Sequence, residues 1–131
     1  MPHNQKINPD GLFKAKGFTQ AVSSTGSKTV YVSGQLPWDN KAQLVGGDDL
    51  EEQTRQVFRN IKCVLDEVGA TWDDVVKLNA YVVGPENVNT VARIKGEIIG
   101  EAPPADTIVG VTGLAYPDCL IEIDAIVMMD E

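Results

Sequence analysis

Residues 48–69 carry the pattern that most constrains the fold of this chain. Side chains suited to burial recur there at alternating spacings of three and four residues, which places them on one face of an α-helix. They are Leu50, Thr54, Val57, Phe58, Ile61, Val64, Leu65 and Val68. We expect Asp48 to cap the first turn in a capping box with Glu51, and Gly69 to end the helix.

The rest of the chain predicts a sheet and a second helix. Residues 1–11 indicate a loose lead-in. Strands are expected over residues 17–22, 29–33, 75–83, 107–112 and 120–128, and a helix over residues 88–99. The order β-β-α-β-α-β-β, with both helices on one face of a mixed sheet, predicts an α+β fold.

The faces of the strands can also be assigned. In strand 75–83, Val76, Leu78, Ala80 and Val82 are expected on one face. In the last strand, Ile121, Ile123, Ala125 and Val127 share one face, and Glu122 and Asp124 lie on the other. Because the sheet's second face is too apolar for free solvent, we expect oligomerisation through it.

Length and composition narrow the class of protein. The chain has 131 residues, 43% of them hydrophobic, which suits a single domain over residues 1–131. A net charge of −8 opposes binding to nucleic-acid phosphates and to anionic membrane surfaces. Apolar stretches fall far short of the ~20 residues that span a membrane, so no membrane association is expected.

Cysteine and histidine usage bears on chemistry and location. With no signal sequence visible, we expect a cytoplasmic protein in which Cys63 and Cys119 are free thiols. The one histidine, His3, lies in the lead-in. His-dependent triads and multi-His metal sites are therefore not expected within the chain.

Four segments together resemble the RidA/YjgF family, also labelled endoribonuclease L-PSP. They cover residues 32–37 (Val-Ser-Gly-Gln-Leu-Pro), residues 53–69 with Asn-Ile-Lys at 60–62, residues 74–77 (Asp-Val-Val-Lys) and residues 121–126 (Ile-Glu-Ile-Asp-Ala-Ile). Each segment is short, but their order and spacing extend the resemblance from about residue 17 to the C-terminus.

The resemblance implies a fold, an assembly and an activity. The fold is chorismate-mutase-like. The assembly is a homotrimer with sheets inside, helices outside and small-molecule clefts between subunits. Many members hydrolyse reactive enamines and imines to keto acids and ammonia without a cofactor, and older labels include translation inhibitor and endoribonuclease.

The resemblance also assigns residues to the cleft. Glu122 matches the glutamate that would position or activate the attacking water. Gly34, with Ser33 before it, would line the cleft. Phe18 stands where the family usually has a tyrosine, and Ala92 stands where it has an asparagine, so a hydroxyl and an amide are missing here.

The departure with the largest consequence is Asp106. The family's arginine follows Pro-Ala and binds the substrate carboxylate, whereas Asp106 follows Pro104-Ala105 here. A guanidinium grips a carboxylate in a bidentate, charge-assisted contact, but an aspartate repels it. Arg93, next to Ala92, or Lys77 could supply the missing cation.

Two functional classes and a carboxylate pair remain open at this point. Asp106 and Glu122 could share a proton if they were close, but too few oxygen ligands are evident to predict a metal site.

The favoured function is an enamine or imine deaminase-like hydrolase of a non-standard substrate, with weak activity on ordinary 2-imino acids. The alternative is a trimer that binds a small metabolite without catalysis. A nucleic-acid role is disfavoured by the acidic charge.

Overall fold

Two helices and a mixed four-stranded sheet form the body of the structure. The computed structural model describes residues 4–131. The strands are β1 (Asn4–Ile7), β2 (Ala21–Ser24), β3 (Lys28–Gln35), β4 (Val75–Val83), β5 (Ala105–Val111) and β6 (Ile121–Met129). The helices are α1 (Leu50–Val68) and α2 (Val88–Ile99), and short 3-10 turns occupy Trp72–Asp74 and Pro85–Asn87. The expected α+β class is confirmed.

The strand order in the main sheet is β3-β6-β4-β5. β6 is antiparallel to both β3 and β4, whereas β5 is parallel to β4. A parallel pair needs a crossover connection, and α2 lies in the connection between β4 and β5. β5 is therefore an edge strand whose start lies in reach of α2.

The expected lead-in over residues 1–11 is wrong for residues 4–7, which form β1. This strand pairs with β2 from Asn4 opposite Ser24 to Ile7 opposite Ala21. The side chain of Asn4 also donates to the carbonyl of Asp73, at 3.1 Å. These tertiary contacts order a segment that has almost no apolar alternation of its own. His3 lies outside the described residues.

The core lies between the helices and one face of the sheet. Its fully buried side chains include Phe58, Ile61 and Leu65 from α1 and Val91 and Ile94 from α2. The sheet supplies Leu78, Ala80, Val82, Ile121, Ile123, Ala125 and Val127. The predicted core face of β6 is thus confirmed.

One core assignment on β4 was wrong, because the pairing of β4 with β6 shifts register between Val75 and Lys77. A bulge of this kind places two residues opposite one and changes which side chain faces inward. Val75 is therefore fully buried, whereas Val76 is only half-buried.

The helix caps are confirmed at one end of α1 and corrected at the other. Gly69 ends α1 with a φ of 77°, in the left-handed region that glycine adopts readily. At the start, Asp49 rather than Asp48 is the cap, and its carboxylate accepts from the amide of Glu51 at 2.9 Å. Glu51 is thus one position too early for the expected capping box.

The second face of the sheet carries no helix. Tyr31 is 77% exposed there and Val109 is 40% exposed. Lys77, Asn79 and Tyr81 alternate with the core residues of β4 and so lie on this face, called the open face below. None of the helices within residues 4–131 is both long enough and apolar enough to cross a membrane.

Candidate functional site

Glu122 and Gly34 meet on the open face of the sheet. Glu122 lies on β6 opposite Tyr81 of β4, between the buried residues Ile121 and Ile123. The pairing of β3 with β6 shifts register between Val32 and Gln35, which brings the backbone of Gly34 against Glu122. A Cβ at position 34 would lie 2.9 Å from the carboxyl carbon of Glu122 and would overlap its Oε2. A side chain at position 34 would therefore displace the Glu122 carboxylate from this place.

The Glu122 carboxylate is half-buried and, among residues 4–131, accepts no hydrogen bond from the protein. Its neighbour on the same face, Asp124, accepts a hydrogen bond from the side-chain amide of Asn79 at 2.8 Å. Glu122 is therefore free to bind a water or a ligand, whereas Asp124 is held by a structural contact. Ser33, Gly34 and Glu122 are called the Glu122 cluster below, and Ser33 is exposed.

A second group of the predicted site residues lines a cavity of about 240 Å³ at the start of β5. Phe18, Ala92 and Asp106 share it, as the resemblance implies. The cavity, called the Asp106 pocket below, is lined by Lys16, Gly17, Phe18, Ala92, Lys95, Asp106 and Ile108.

The segment that carries Phe18 is held against the start of β5 by backbone contacts. The amide of Thr19 donates to the carbonyl of Pro104 at 3.1 Å, and Thr19 forms a bridge with Ala105. The chain therefore runs past the edge of the sheet here instead of forming the strand expected over residues 17–22. β2 begins only at Ala21.

Lys95 also lines the pocket, although it was not among the site residues expected from the sequence. Its ammonium donates to Oδ2 of Asp106 in an ion pair whose side chains are only 7% and 4% exposed. The other carboxylate oxygen of Asp106, Oδ1, is buried and has no hydrogen-bond partner within residues 4–131. A signal was available, because Lys95 follows Ala92 by three residues and so lies on the same face of α2.

Asp106 and Glu122 lie on opposite faces of the sheet. Asp106 is opposite Leu78, whose buried side chain faces the helices, and it pairs with Lys95 of α2. Glu122 is opposite Tyr81, which is three residues further along β4 and on the other face. Within one chain the two carboxylates therefore do not form the pair considered from the sequence.

The two candidate replacement cations lie elsewhere. Arg93 is about half exposed, and its terminal nitrogens donate to Glu51 and Glu97, each at 2.9 Å. Lys77 donates to the hydroxyl of Thr107 at 2.8 Å. Neither side chain lines the Asp106 pocket, and the cation found there is Lys95.

Both cysteines are free: Cys63 is exposed and Cys119 is buried. Burial raises the pKa of the Cys119 thiol, and a hydrogen bond with Trp38 offsets this in part. A thiol with a raised pKa is a poor nucleophile. Within residues 4–131 no group of three or more His, Cys, Asp or Glu side chains is placed to hold a metal ion.

Comparison with known proteins shows the family of the chain. The profile of the endoribonuclease L-PSP family matches residues 11–129. The chain belongs to this family. It is 37% identical to a RutC family protein of Pyrococcus abyssi over 74% of the chain and 76% of that protein.

Solved structures show the same family fold. The conserved Rid-family protein YyfB from Yersinia pestis superposes with a TM-score of 0.89 at 39% identity, covering 96% of this chain and 98% of that one. RidA from an Antarctic Psychrobacter gives a TM-score of 0.71 at 31% identity, over 95% and 98% of the two chains. The fold is therefore the chorismate-mutase-like α+β fold of Rid proteins.

Proposed function

We propose that this Rid-family chain is an enamine or imine deaminase-like hydrolase that acts without a cofactor on a non-standard substrate. The observation that carries the proposal is the unpartnered Glu122 carboxylate, held against the backbone of Gly34. A half-buried carboxylate with free lone pairs can orient a water molecule and accept its proton.

The reaction follows from that group. Water bound to Glu122 attacks the imine carbon and its proton passes to the carboxylate. A C–O bond forms as the C=N π pair moves to nitrogen, and Glu122 passes that proton to the nitrogen, which gives a neutral carbinolamine. Glu122 then takes the proton of the new hydroxyl and transfers it to the amine, the C–N bond breaks, and ammonia leaves as the carbonyl forms. The backbone of Ser33 and Gly34 lines the space beside the reacting carbon. An enamine enters the same route after protonation at carbon.

The proposed assembly is a homotrimer with the open face inside. Exposed Tyr31 and Val109 on that face favour its burial against other copies of the chain, since each Å² of buried apolar surface contributes about 25 cal/mol. Because the Glu122 cluster and the Asp106 pocket lie on opposite faces of one sheet, a cleft that uses both takes one from each of two subunits. Its occupant is a small-molecule metabolite, with no nucleic acid involved. The free thiols support a cytoplasmic location.

Ordinary 2-imino acids are expected to be poor substrates. The position that holds the carboxylate-binding arginine in the resembled deaminases holds Asp106 here, and Lys95 already neutralises it. Loss of a charge-assisted contact of about 1.5–3 kcal/mol corresponds to a roughly ten- to hundredfold loss of binding. The alternative function is a trimer that binds a metabolite without turnover, which the missing polar groups at Phe18 and Ala92 favour.

The test is ammonia release from a panel of imines generated in situ, comparing wild type with Glu122→Gln. The matched control is Asp124→Asn, which removes a carboxylate from the same strand and face. We expect wild type and the control to release ammonia from at least one imine and Glu122→Gln to lose at least ~100-fold in rate. If wild type binds such compounds and releases no ammonia above background, the non-catalytic alternative is correct.

A further inference from the structure

The Asp106 pocket offers a ligand one negative and one positive group side by side. Asp106 uses only Oδ2 for Lys95, and Oδ1 is buried without a partner. A buried acceptor without a hydrogen bond carries a free-energy cost. Binding of a ligand that donates a hydrogen bond to this oxygen is therefore favoured. The Lys95 ammonium has three donors in all, and its contact with Oδ2 is the one side-chain hydrogen bond found for it in residues 4–131.

The charge of this pair decides which small groups fit beside it. A carboxylate would approach Lys95 but would also lie next to Asp106, and an ammonium would approach Asp106 but would also lie next to Lys95. Like charges at this distance repel strongly when they are shielded from water. A primary carboxamide carries no charge, donates through its NH2 group and accepts through its carbonyl oxygen. It can therefore satisfy Oδ1 of Asp106 and the Lys95 ammonium together.

The remaining walls of the pocket suit such a group. Phe18, Ala92 and Ile108 are apolar, and the one further charged lining residue, Lys16, is exposed, so water screens its charge. With no hydroxyl at position 18 and no amide at position 92, the ion pair is the buried polar group of the lining. The volume of about 240 Å³ equals that of roughly eight water molecules at about 30 Å³ each, which accommodates a small amide.

We propose that Asp106 and Lys95 bind the carboxamide end of the ligand, so that the substrates are imines or enamines of amino-acid amides rather than of amino acids. The identification of the substrates as imines or enamines rests on the proposed function, whereas recognition of an amide by the pocket does not. A result that fails one proposal therefore leaves the other standing.

The test is ligand-detected NMR titration of the full-length protein with three probes of matched size: propionamide, propionate and propylammonium. We expect propionamide to bind wild type at least about tenfold more tightly than either charged probe. In Asp106→Asn, Lys95 is left without its counter-charge, so the order of propionamide and propionate should reverse. The control Asp48→Asn makes the same change at an exposed residue of the loop before α1 and should keep the wild-type order.

A second variant, which removes both charges of the ion pair, keeps the proposal testable if Asp106→Asn does not fold. The double change Asp106→Leu with Lys95→Met should bind none of the three probes measurably. Equal binding of propionate and propionamide to wild type would overturn the proposal, as would an amide preference that survives in Asp106→Asn or in the double variant. Absence of binding by all probes, with water only in the pocket, would also overturn it. Failure of all imines to release ammonia would defeat the proposed reaction and leave the probe order unaffected.

Discussion

The Lys95–Asp106 ion pair has a large effect on stability because both of its side chains are buried. Moving two charges out of water carries a penalty that their mutual attraction only partly repays. Removing one partner is far worse than removing both, because the other charge is then buried alone. Both residues line the Asp106 pocket, so a stability measurement on variants of this pair reports on the pocket directly.

The first prediction concerns this pair. Asp106→Ala should lower the free energy of unfolding by about 3–5 kcal/mol, because it leaves the Lys95 ammonium buried without a counter-charge. The double variant Asp106→Leu with Lys95→Met should lie within about 1 kcal/mol of wild type, since it buries no charge. Urea unfolding followed by circular dichroism measures both. Equal losses in the two variants would show that the ion pair is not buried in solution.

The sequence predicted Phe18, Ala92 and Asp106 as members of one site, but it did not predict Lys95. The first three positions were assigned to the cleft one by one from the family resemblance, whereas Lys95 matches no residue that the resemblance assigns to the cleft. Its contribution depends on which face of α2 packs over the edge strand β5. That packing depends on tertiary contacts. The one indication in the sequence is that Lys95 follows Ala92 by three residues and so lies on the same face of α2.

At the scale of elements, α1 and α2 are joined by an exposed network of four charges. Arg55 donates to Glu51 and Glu97, and Arg93 donates to the same two carboxylates, at 2.9–3.0 Å. Hydrogen bonds from Arg55 and Arg93 lower the pKa values of Glu51 and Glu97. The network therefore favours docking of the two helices when both carboxylates are ionised.

The second prediction is the pH dependence of this docking. The pKa of Glu97 is lower in the folded chain than its ordinary value of 4.5, chiefly through its hydrogen bond with Arg55. Its contribution is thus fully present above pH 4.5 and is lost as the pH falls through the lowered folded pKa. Glu97→Gln should reduce the free energy of unfolding at neutral pH and have no effect well below pH 4.5.

A matched control for that measurement is Glu67→Gln, which removes an exposed carboxylate from α1 that makes no ion pair within residues 4–131. Because it breaks no ion pair, Glu67→Gln should change the free energy of unfolding little. High salt should shrink the effect of Glu97→Gln at neutral pH, because exposed pairs are screened. If the loss of unfolding free energy in Glu97→Gln grew as the pH fell, the lowered pKa of Glu97 would be contradicted.

The elements themselves were largely predictable, and the failures have physical causes. The apolar period of α1 and the alternation in β6 are long enough to define a face without tertiary help. The start of α1 was off by one residue because Asp48 and Asp49 are adjacent and either can cap. The bulge that buries Val75 instead of Val76 leaves no mark in the sequence, because both residues are valine.

At the scale of the whole molecule, the two parts of the candidate site lie on opposite faces of one sheet. The Glu122 cluster is on the open face, and the Asp106 pocket lies beneath α2 at the edge strand. A substrate that contacts both must therefore lie between copies of the chain. Such a substrate needs an assembly of at least two copies, which the proposed trimer would supply while also burying the open face.

The third prediction follows from that requirement and tests it most directly. Two inactive variants are co-expressed and purified as mixed assemblies: Glu122→Gln, and the double variant Asp106→Leu with Lys95→Met. If each cleft takes its pocket from one subunit and its glutamate from the next, random mixing restores about a quarter of the clefts to the wild-type combination. The measurement is the rate of ammonia release from the imine that wild type hydrolyses best. We predict recovery to about a quarter of the wild-type rate in the mixed assemblies, with neither variant active alone. Mixed assemblies that stay as inactive as the separate variants would contradict a site shared between subunits.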